Sequence, residues 1–113
     1  MGLENSEPEF VEALVEGTKL ALNFDGDVVA LSARARDGEE AAVRELLDAY
    51  WVLAALIGIR LRPRWLRPSD AAQEGVLVLM RLVEKGSATI VQDLGTEIAE
   101  AFGRLKEPNG NKR

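Results

Sequence analysis

The spacing of the apolar residues is the feature that most limits what this chain can fold into. Between residues 39 and 60 they recur three and four positions apart, which matches the rotation of an α-helix. The members of this series are Val43, Leu46, Leu47, Tyr50, Leu53, Ala54 and Ile57. No segment alternates apolar and polar residues over the length of a half-buried strand. The spacing therefore predicts an all-α protein.

Helical spacing also predicts two shorter helices before this central one and two after it. They cover residues 8–22, 27–36, 69–85 and 89–105. Their predicted buried stripes are Phe10, Leu14 and Leu20 in the first, Val28, Leu31 and Ser32 in the second, and Ile90, Leu94, Ile98, Phe102 and Leu105 in the last. We expect these segments to pack as one compact all-α bundle of four or five helices.

Polar residues between these segments predict where the helices begin and end. Asp37, with Glu40 three positions later, resembles a capping box at the start of the central helix. Ser69 is predicted to cap the next helix, with Asp70 in the first turn, where the helix dipole favours an acid. Gly86 suits the end of that helix.

The length and composition indicate one globular domain. The chain has 113 residues, of which 47% are hydrophobic and 29% charged. We expect residues 1–26 to form an acidic helix and turn, residues 27–106 the helical domain, and residues 107–113 a disordered tail. The longest wholly apolar run, residues 51–59, is shorter than a membrane span, and the acidic start is unlike a secretory leader. These features predict a cytoplasmic protein without a membrane partner.

Cysteine and histidine are both absent. Their absence removes disulfides, thiolate and imidazole metal sites, and the nucleophilic triads that depend on imidazole. No strand followed by a glycine-rich phosphate loop is present, so carboxylate chemistry alone remains open to an enzyme. We expect a protein that is not an enzyme and that holds no metal ion or cofactor.

A cluster of arginines stands out in a chain whose net charge is −5. Its members are Arg60, Arg62, Arg64 and Arg67. Such a tract can contact nucleic-acid phosphates or an acidic partner. Because Pro63 interrupts it and Pro68 follows it, we favour the alternative, a solvated loop between two helices.

Residues 69–86, SDAAQEGVLVLMRLVEKG, predict a helix with one narrow polar stripe. At about 100° per residue, the stripe contains Asp70, Gln73, Glu74, Leu77, Arg81, Glu84 and Lys85. The opposite, buried arc contains Ala71, Ala72, Gly75, Val76, Val78, Leu79, Met80, Leu82 and Val83. An apolar centre at Leu77 ringed by polar groups is typical of a docking surface. The alternative is a solvated face with one stray exposed leucine.

The same segment resembles region 2 of bacterial sigma factors, the subunits that give RNA polymerase its promoter recognition. In that family a helix of the form D-x-x-Q-E-G, apolar positions and then Leu-Met/Leu-Lys/Arg-x-Val/Ile-Glu/Asp-Lys packs on the coiled coil of the β′ subunit. The matching residues are Asp70, Gln73, Glu74, Gly75, Leu79, Met80, Arg81, Val83, Glu84 and Lys85. The upstream stretch LSARARDGEEAAVRELLDAYWVLAALIGIRL is similar to the preceding part of that domain, so the resemblance covers residues 28–86.

The resemblance implies the fold of sigma region 2 and a contact with the β′ coiled coil. Carried over residue by residue, it places Asp70, Gln73, Glu74, Met80 and Arg81 at that contact, and the stripe adds Leu77 and Glu84. Carboxylates and amides suit an arginine-rich partner, because they accept paired guanidinium hydrogen bonds. The chain departs from the family pattern at Val76, usually a polar residue, and at Val78, usually a small one.

The segment after Gly86 departs further from the family. In sigma factors the corresponding region reads and melts the promoter −10 element with several aromatic residues and a basic helix. Here Phe102 is the one aromatic residue of GSATIVQDLGTEIAEAFGRLKE, and acidic residues outnumber basic ones. Few aromatics remain to stack on unpaired bases, and the acidic charge repels DNA. We expect weak or no direct DNA binding.

These observations lead to one expected function and two alternatives. The expected function is a sigma-like protein that docks on RNA polymerase core without reading promoter DNA itself. It would act as half of a two-part sigma factor, with a second protein supplying the remaining contacts, or as a regulator at the sigma site. One alternative is a sigma mimic that binds an anti-sigma factor. The other is a helical scaffold or homodimerisation module with Leu77 buried at its interface.

Overall fold

The computed structural model describes residues 7–106, and over this range the protein is an all-α bundle. This range contains five helices and no strand. They are α1 (Glu7–Leu22), α2 (Val28–Arg36), α3 (Glu40–Leu61), α4 (Pro68–Glu84) and α5 (Ile90–Arg104). The predicted fold class is confirmed, and each helix lies where the apolar spacing predicts it to within about two residues.

The connection between α2 and α3 differs from its prediction. Asp37 does not cap α3; it is the C-cap residue of α2, and Glu39 occupies the N-cap position of α3 without a side-chain hydrogen bond. Gly38 explains the difference, because its φ of 92° lets the chain leave α2 through a left-handed residue. The amides of Gly38 and Glu39 then donate to the carbonyls of Ala35 and Arg34, at 2.9 and 3.0 Å, as in a Schellman motif.

The start of α4 also differs, whereas its end matches the prediction. Arg67 is the N-cap residue and Pro68 the first helical residue, so Ser69 lies inside the helix. Proline is favoured there because its fixed φ is helical and the first turn needs no amide donor. At the other end Gly86 has a φ of 79°, and the amide of Ser87 donates to the carbonyl of Leu82 at 3.0 Å.

The core lies along α3, which contacts every other helix. Its buried residues include Leu46, Tyr50 and Leu53, as the central apolar series predicts. The largest fully buried side chains facing them come mainly from α4 and α5, namely Leu79, Leu82, Val78, Val83, Ile90, Leu94 and Ile98. Burial raises the pKa of the Tyr50 phenol, and the ring of Phe24 packs edge-on against it at 5.9 Å. The predicted stripe of α5 is confirmed except at Leu105, which is the half-buried C-cap residue of the helix.

Helices α3 and α4 approach each other more closely than side chains would allow. A Cβ atom added at Gly58 would lie 3.3 Å from the Cα of Gly75 and would overlap the carbonyl oxygen of Ala71. One added at Gly75 would overlap the carbonyl oxygen of Ala54 in the same way. The two backbones therefore touch at this crossing, which fixes the position of α4 on the bundle.

Helix α1 packs on α3 through one line of residues. Phe10, Gly17 and Ala21 are buried and Leu14 is half-buried, but Leu20, which the sequence predicts to belong to this line, is 57% exposed. That prediction is wrong because the line continues from Leu14 through Gly17 and Ala21, which leaves Leu20 outside the contact with α3. Gly17 is a contact point, since a Cβ added there would lie only 3.1 Å from Cγ1 of Val52.

Part of the predicted domain organisation falls on residues that the structure does not describe. The predicted tail, residues 107–113, and the first six residues of the acidic N-terminal segment lie outside the described range. Among residues 7–106, none of the helices combines the length and the apolar character that a membrane crossing requires.

Candidate protein-docking surface

Helix α4 carries the candidate site, and its buried face determines what it presents to solvent. The buried residues of α4 are Ala71, Gly75, Val78, Leu79, Leu82 and Val83. They face α3 and α5, because α4 has most of its helix contacts with these two. The polar residues between them are consequently held on the outer side of the bundle.

Five exposed residues follow one line along the outer side of α4, and we name them the α4 seam. They are Asp70, Gln73, Leu77, Met80 and Glu84. Their successive spacing is three, four, three and four residues, which is the a/d spacing of a coiled coil. At about 100° per residue the seam points away from the buried face. Leu77 and Met80, each 39% exposed, form an apolar centre with polar residues at both ends.

The predicted stripe is largely exposed, with two differences in detail. Asp70, Gln73, Leu77, Arg81, Glu84 and Lys85 are exposed, and Glu74 is half-buried. Met80 lies on the exposed side, although the periodicity of the segment places it in the buried arc. That arc is too wide, because α3 and α5 cover only part of it and leave Ala72 and Val76 half-buried as well.

The charges along the outer side of α4 are unevenly placed. Asp70, Gln73 and Glu74 make its N-terminal third acidic and rich in hydrogen-bond acceptors, whereas Arg81 and Lys85 flank Glu84 at the other end. A carboxylate oxygen of Asp70 lies 3.9 Å from Nε of Arg67, with both side chains more than half exposed. Such a surface pair contributes little free energy, so it leaves Asp70 able to pair with another cation.

The structure divides the arginine tract into two pairs. The Arg60 guanidinium lies over the ring of Phe10, 6.0 Å from its centroid, and the Arg62 guanidinium donates to the carbonyl oxygen of Leu66 at 2.7 Å. These two arginines stabilise the packing of α1 and the α3–α4 loop. Arg64 and Arg67 are exposed in that loop, beside the start of α4.

Helix α5 presents a different outer surface. Thr96, Ala99, Glu100 and Gly103 are exposed there, and Glu97 is half-buried. At its start the hydroxyls of Ser87 and Thr89 both donate to Asp93 Oδ2 at 2.9 Å, so this carboxylate is held in local hydrogen bonds. Arg104 is the one basic residue of the helix, so its outer surface has acidic character.

The depressions described on the bundle are open and lie on α3, outside this surface. Two open depressions on α3, around Glu40, Arg44 and Asp48, are each lined by residues of that helix alone. The described residues contain no group of three or more acidic side chains placed to hold a metal ion.

The search for similar proteins returned no match among protein-family models, curated protein sequences or solved structures. The α4 seam is therefore interpreted from its own geometry and from the sequence pattern.

Proposed function

We propose that this protein docks through the α4 seam on the coiled coil of the β′ subunit of RNA polymerase, without reading promoter DNA itself. It would act as half of a two-part sigma factor or as a regulator that occupies the sigma site. The observation that carries the proposal is the α4 seam, with its coiled-coil spacing and its exposed apolar centre. The resemblance of residues 28–86 to sigma region 2 supplies the partner.

The spacing of the α4 seam suits a coiled coil as the partner. Residues that follow the a/d pattern stay on one side of a helix and insert between the side chains of a facing helix. Leu77 and Met80 would form the dry centre of that contact, and methionine adapts its shape to an irregular partner surface. Their polar neighbours would form the hydrated rim.

The charges of α4 specify the orientation of the partner. Asp70 and Glu74 can each accept hydrogen bonds from a partner guanidinium near the start of the helix. Arg81, one turn beyond Leu77, requires an acidic group at the other end. A partner that carries arginine and acidic residues in this order would match α4 in one direction only, because the reversed arrangement opposes like charges.

The absence of promoter reading is supported by α5. Its exposed and half-buried charges are mainly acidic, and no aromatic side chain of α5 is exposed. DNA binding depends on neutralising phosphates, and single-strand binding also needs aromatic surfaces for base stacking. The outer surface of α5 offers neither.

Calorimetric binding of the full chain to an isolated β′ coiled coil tests the proposal. We expect Leu77→Ala to weaken binding about tenfold, and the double variant Gln73→Ala with Glu74→Ala to weaken it about as much or more. Leu20→Ala is the matched control, because Leu20 is an exposed leucine on α1, away from α4. Absence of binding, or binding that the α4 variants and the control affect equally, would show that the proposal is wrong.

The same reagents separate the proposal from its alternatives. If a pull-down recovers an anti-sigma protein but no polymerase, the protein is a sigma mimic. If the chain forms a homodimer that Leu77→Ala dissociates, the α4 seam serves self-association instead. Tight, specific binding of single-stranded −10 promoter DNA would contradict the interpretation of α5.

A further inference from the structure

Exposed apolar side chains are concentrated at the N-terminal end of the described chain, outside the α4 seam. Of the ten exposed large hydrophobic residues in the described range, five lie between residues 11 and 29. They are Val11, Val15, Leu20, Leu22 and Val29. Single exposed apolar residues are normal, but a line of them along one side of a helix indicates a surface that another molecule covers.

Three of these five residues follow one line on α1, together with Thr18, and we name this line the α1 seam. Its members are Val11, Val15, Thr18 and Leu22, at successive spacings of four, three and four residues. Val11, Val15 and Leu22 are 51%, 46% and 71% exposed. The α1 seam lies about 100° around the helix from the line that packs on α3, so that packing leaves it accessible.

Thr18 does not interrupt the apolar character of the α1 seam. Its hydroxyl donates to the carbonyl oxygen of Leu14 at 2.8 Å. A partner could therefore cover Thr18 without leaving a buried hydroxyl that lacks a hydrogen bond. The seam then provides four consecutive contact positions over three turns of helix.

We propose that the α1 seam is a self-association surface, on which α1 of a second copy packs in the antiparallel direction. Glu12 and Lys19 select this occupant and this direction. Both flank the seam on its solvent side, one near each end, and both are exposed. In an antiparallel pair, Glu12 of one copy lies near Lys19 of the other, and the reciprocal pair forms by symmetry.

A parallel pair has no such complementarity. In a parallel coiled coil, Lys19 would instead face Leu14 of the other copy, on the opposite flank of the seam. Leu14 is apolar and packs against the core of its own protomer, so it offers Lys19 no charged partner. Within α1, Lys19 already lies 3.7 Å from Glu16, but both side chains are exposed, so this pair does not hold Lys19 in place.

The proposed dimer is weak and independent of the α4 seam. Three helical turns on each copy bury much less than the roughly 1,600 Å² of a standard interface. The contact nevertheless needs no folding, because each α1 is already helical on its own α3. The dimer would leave both α4 seams accessible, so one assembly would present two docking surfaces.

Sedimentation equilibrium of the full chain, from about 10 μM to about 1 mM, tests the proposal. We expect the wild-type protein to form a dimer in this range and Leu22→Ala to weaken it about tenfold. Leu20→Ala is the matched control and should leave the dimer unchanged, because Leu20 lies outside the α1 seam. Circular dichroism and a urea titration confirm that each variant is folded.

Two charge reversals test the antiparallel direction. Lys19→Glu and Glu12→Lys should each weaken the homodimer about tenfold, since each replaces two attractive pairs by two repulsive ones. An equimolar mixture of the two variants should form a heterodimer. The Lys19→Glu variant carries an acidic residue at both position 12 and position 19, and the Glu12→Lys variant carries a basic residue at both. Each charged pair across the heterodimer interface is therefore complementary.

Three results would overturn the proposal. The first is a wild-type chain that stays monomeric up to about 1 mM, which would assign the α1 seam to another protein or to a terminal segment of the same chain. The second is a mixture of the charge-reversed variants that associates no more than each variant alone. The third is a dimer that Leu77→Ala dissociates and Leu22→Ala does not.

Discussion

Helices α4 and α5 are neighbours of similar length that use glycine in opposite ways. In α4, Gly75 lies against the backbone of α3, where an added Cβ would overlap the carbonyl oxygen of Ala54. In α5, an added Cβ at Gly95 or Gly103 would meet nothing within 4 Å. Packing therefore requires glycine at this position of α4, whereas it places no constraint on the two glycines of α5.

The outer surfaces of the two helices differ in a related way. Helix α4 presents Leu77 and Met80 at the centre of a polar line, whereas the middle of α5 presents Thr96, Ala99 and Glu100. Both helices are anchored through their buried faces, but only α4 combines a fixed position with an outer surface suited to a protein partner. This difference is what the proposed function requires, with docking through α4 and no DNA reading by α5.

The largest expected loss of stability comes from substitutions that force the backbones of α3 and α4 apart at their crossing. Gly75→Ala should lower the free energy of unfolding by about 3 kcal/mol, because the new methyl group must push α4 away from α3. Urea denaturation measures the change. Gly58→Ala, on the other side of the same crossing, should have a comparable effect, and wild-type stability in either variant would contradict the described contact.

A smaller loss of stability is expected from a substitution at the turn between α4 and α5. The Ser32 hydroxyl is buried and donates to the carbonyl oxygen of Ser87, in the α4–α5 turn, at 2.7 Å. Ser32→Ala should destabilise the protein by about 1–2 kcal/mol, because that carbonyl loses its partner. Ser69→Ala is the control, since Ser69 is exposed on α4 and should change stability by less than about 0.5 kcal/mol.

The glycines of α5 should respond in the opposite direction to Gly75. Gly95→Ala should stabilise the protein by about 0.5–1 kcal/mol, because alanine favours the helix and the site has room for its methyl group. Gly103→Ala, in the last turn, should give a smaller gain. A loss of stability in Gly95→Ala, measured by the same urea titration, would mean that the outer surface of α5 is packed against something.

The smallest expected effect on stability comes from an exposed hydrogen bond outside α4 and α5. It shows how little a single surface contact contributes. Glu39 accepts a hydrogen bond from Nε of Arg34 at 2.8 Å, and this bond holds the pKa of Glu39 below its ordinary value of 4.5. A lowered carboxyl pKa adds stability above the ordinary value, and that stability is lost as the pH falls through the folded pKa. Glu39→Gln should therefore lower the urea midpoint slightly at pH 7, and the difference should shrink towards pH 3.

Most of the fold could be predicted because apolar spacing alone defines the helices. Leu46, Tyr50 and Leu53 in α3, and Leu94 and Ile98 in α5, are buried as their spacing predicts. The errors fall where backbone conformation decides the outcome. Asp37 and Ser69 are good capping residues, but the left-handed Gly38 and the fixed φ of Pro68 shift the helix ends away from them.

The candidate site is harder to predict from the sequence than the fold. The residues of the predicted stripe are exposed or half-buried, but periodicity places Met80 on the buried side, because an apolar residue on a mainly apolar helix is assigned there by default. Its exposure completes the coiled-coil spacing of the α4 seam, in which three of the five positions are polar. A search for apolar heptads cannot find such a line. The α1 seam was missed because exposure, rather than spacing, distinguishes it from the buried line beside it.

The backbone contact between Gly58 and Gly75 has a consequence for hydrogen exchange. We expect amide hydrogens around this crossing to reach water mainly when α3 and α4 separate, and that separation also exposes Leu79 and the rest of the shared core. We expect them to exchange as slowly as global unfolding permits, while the first turn of α1 exchanges by fraying. Leu77 and Met80 would then sit on the last part of the molecule to open, and a partner that binds them would meet a helix already ordered in its bound conformation.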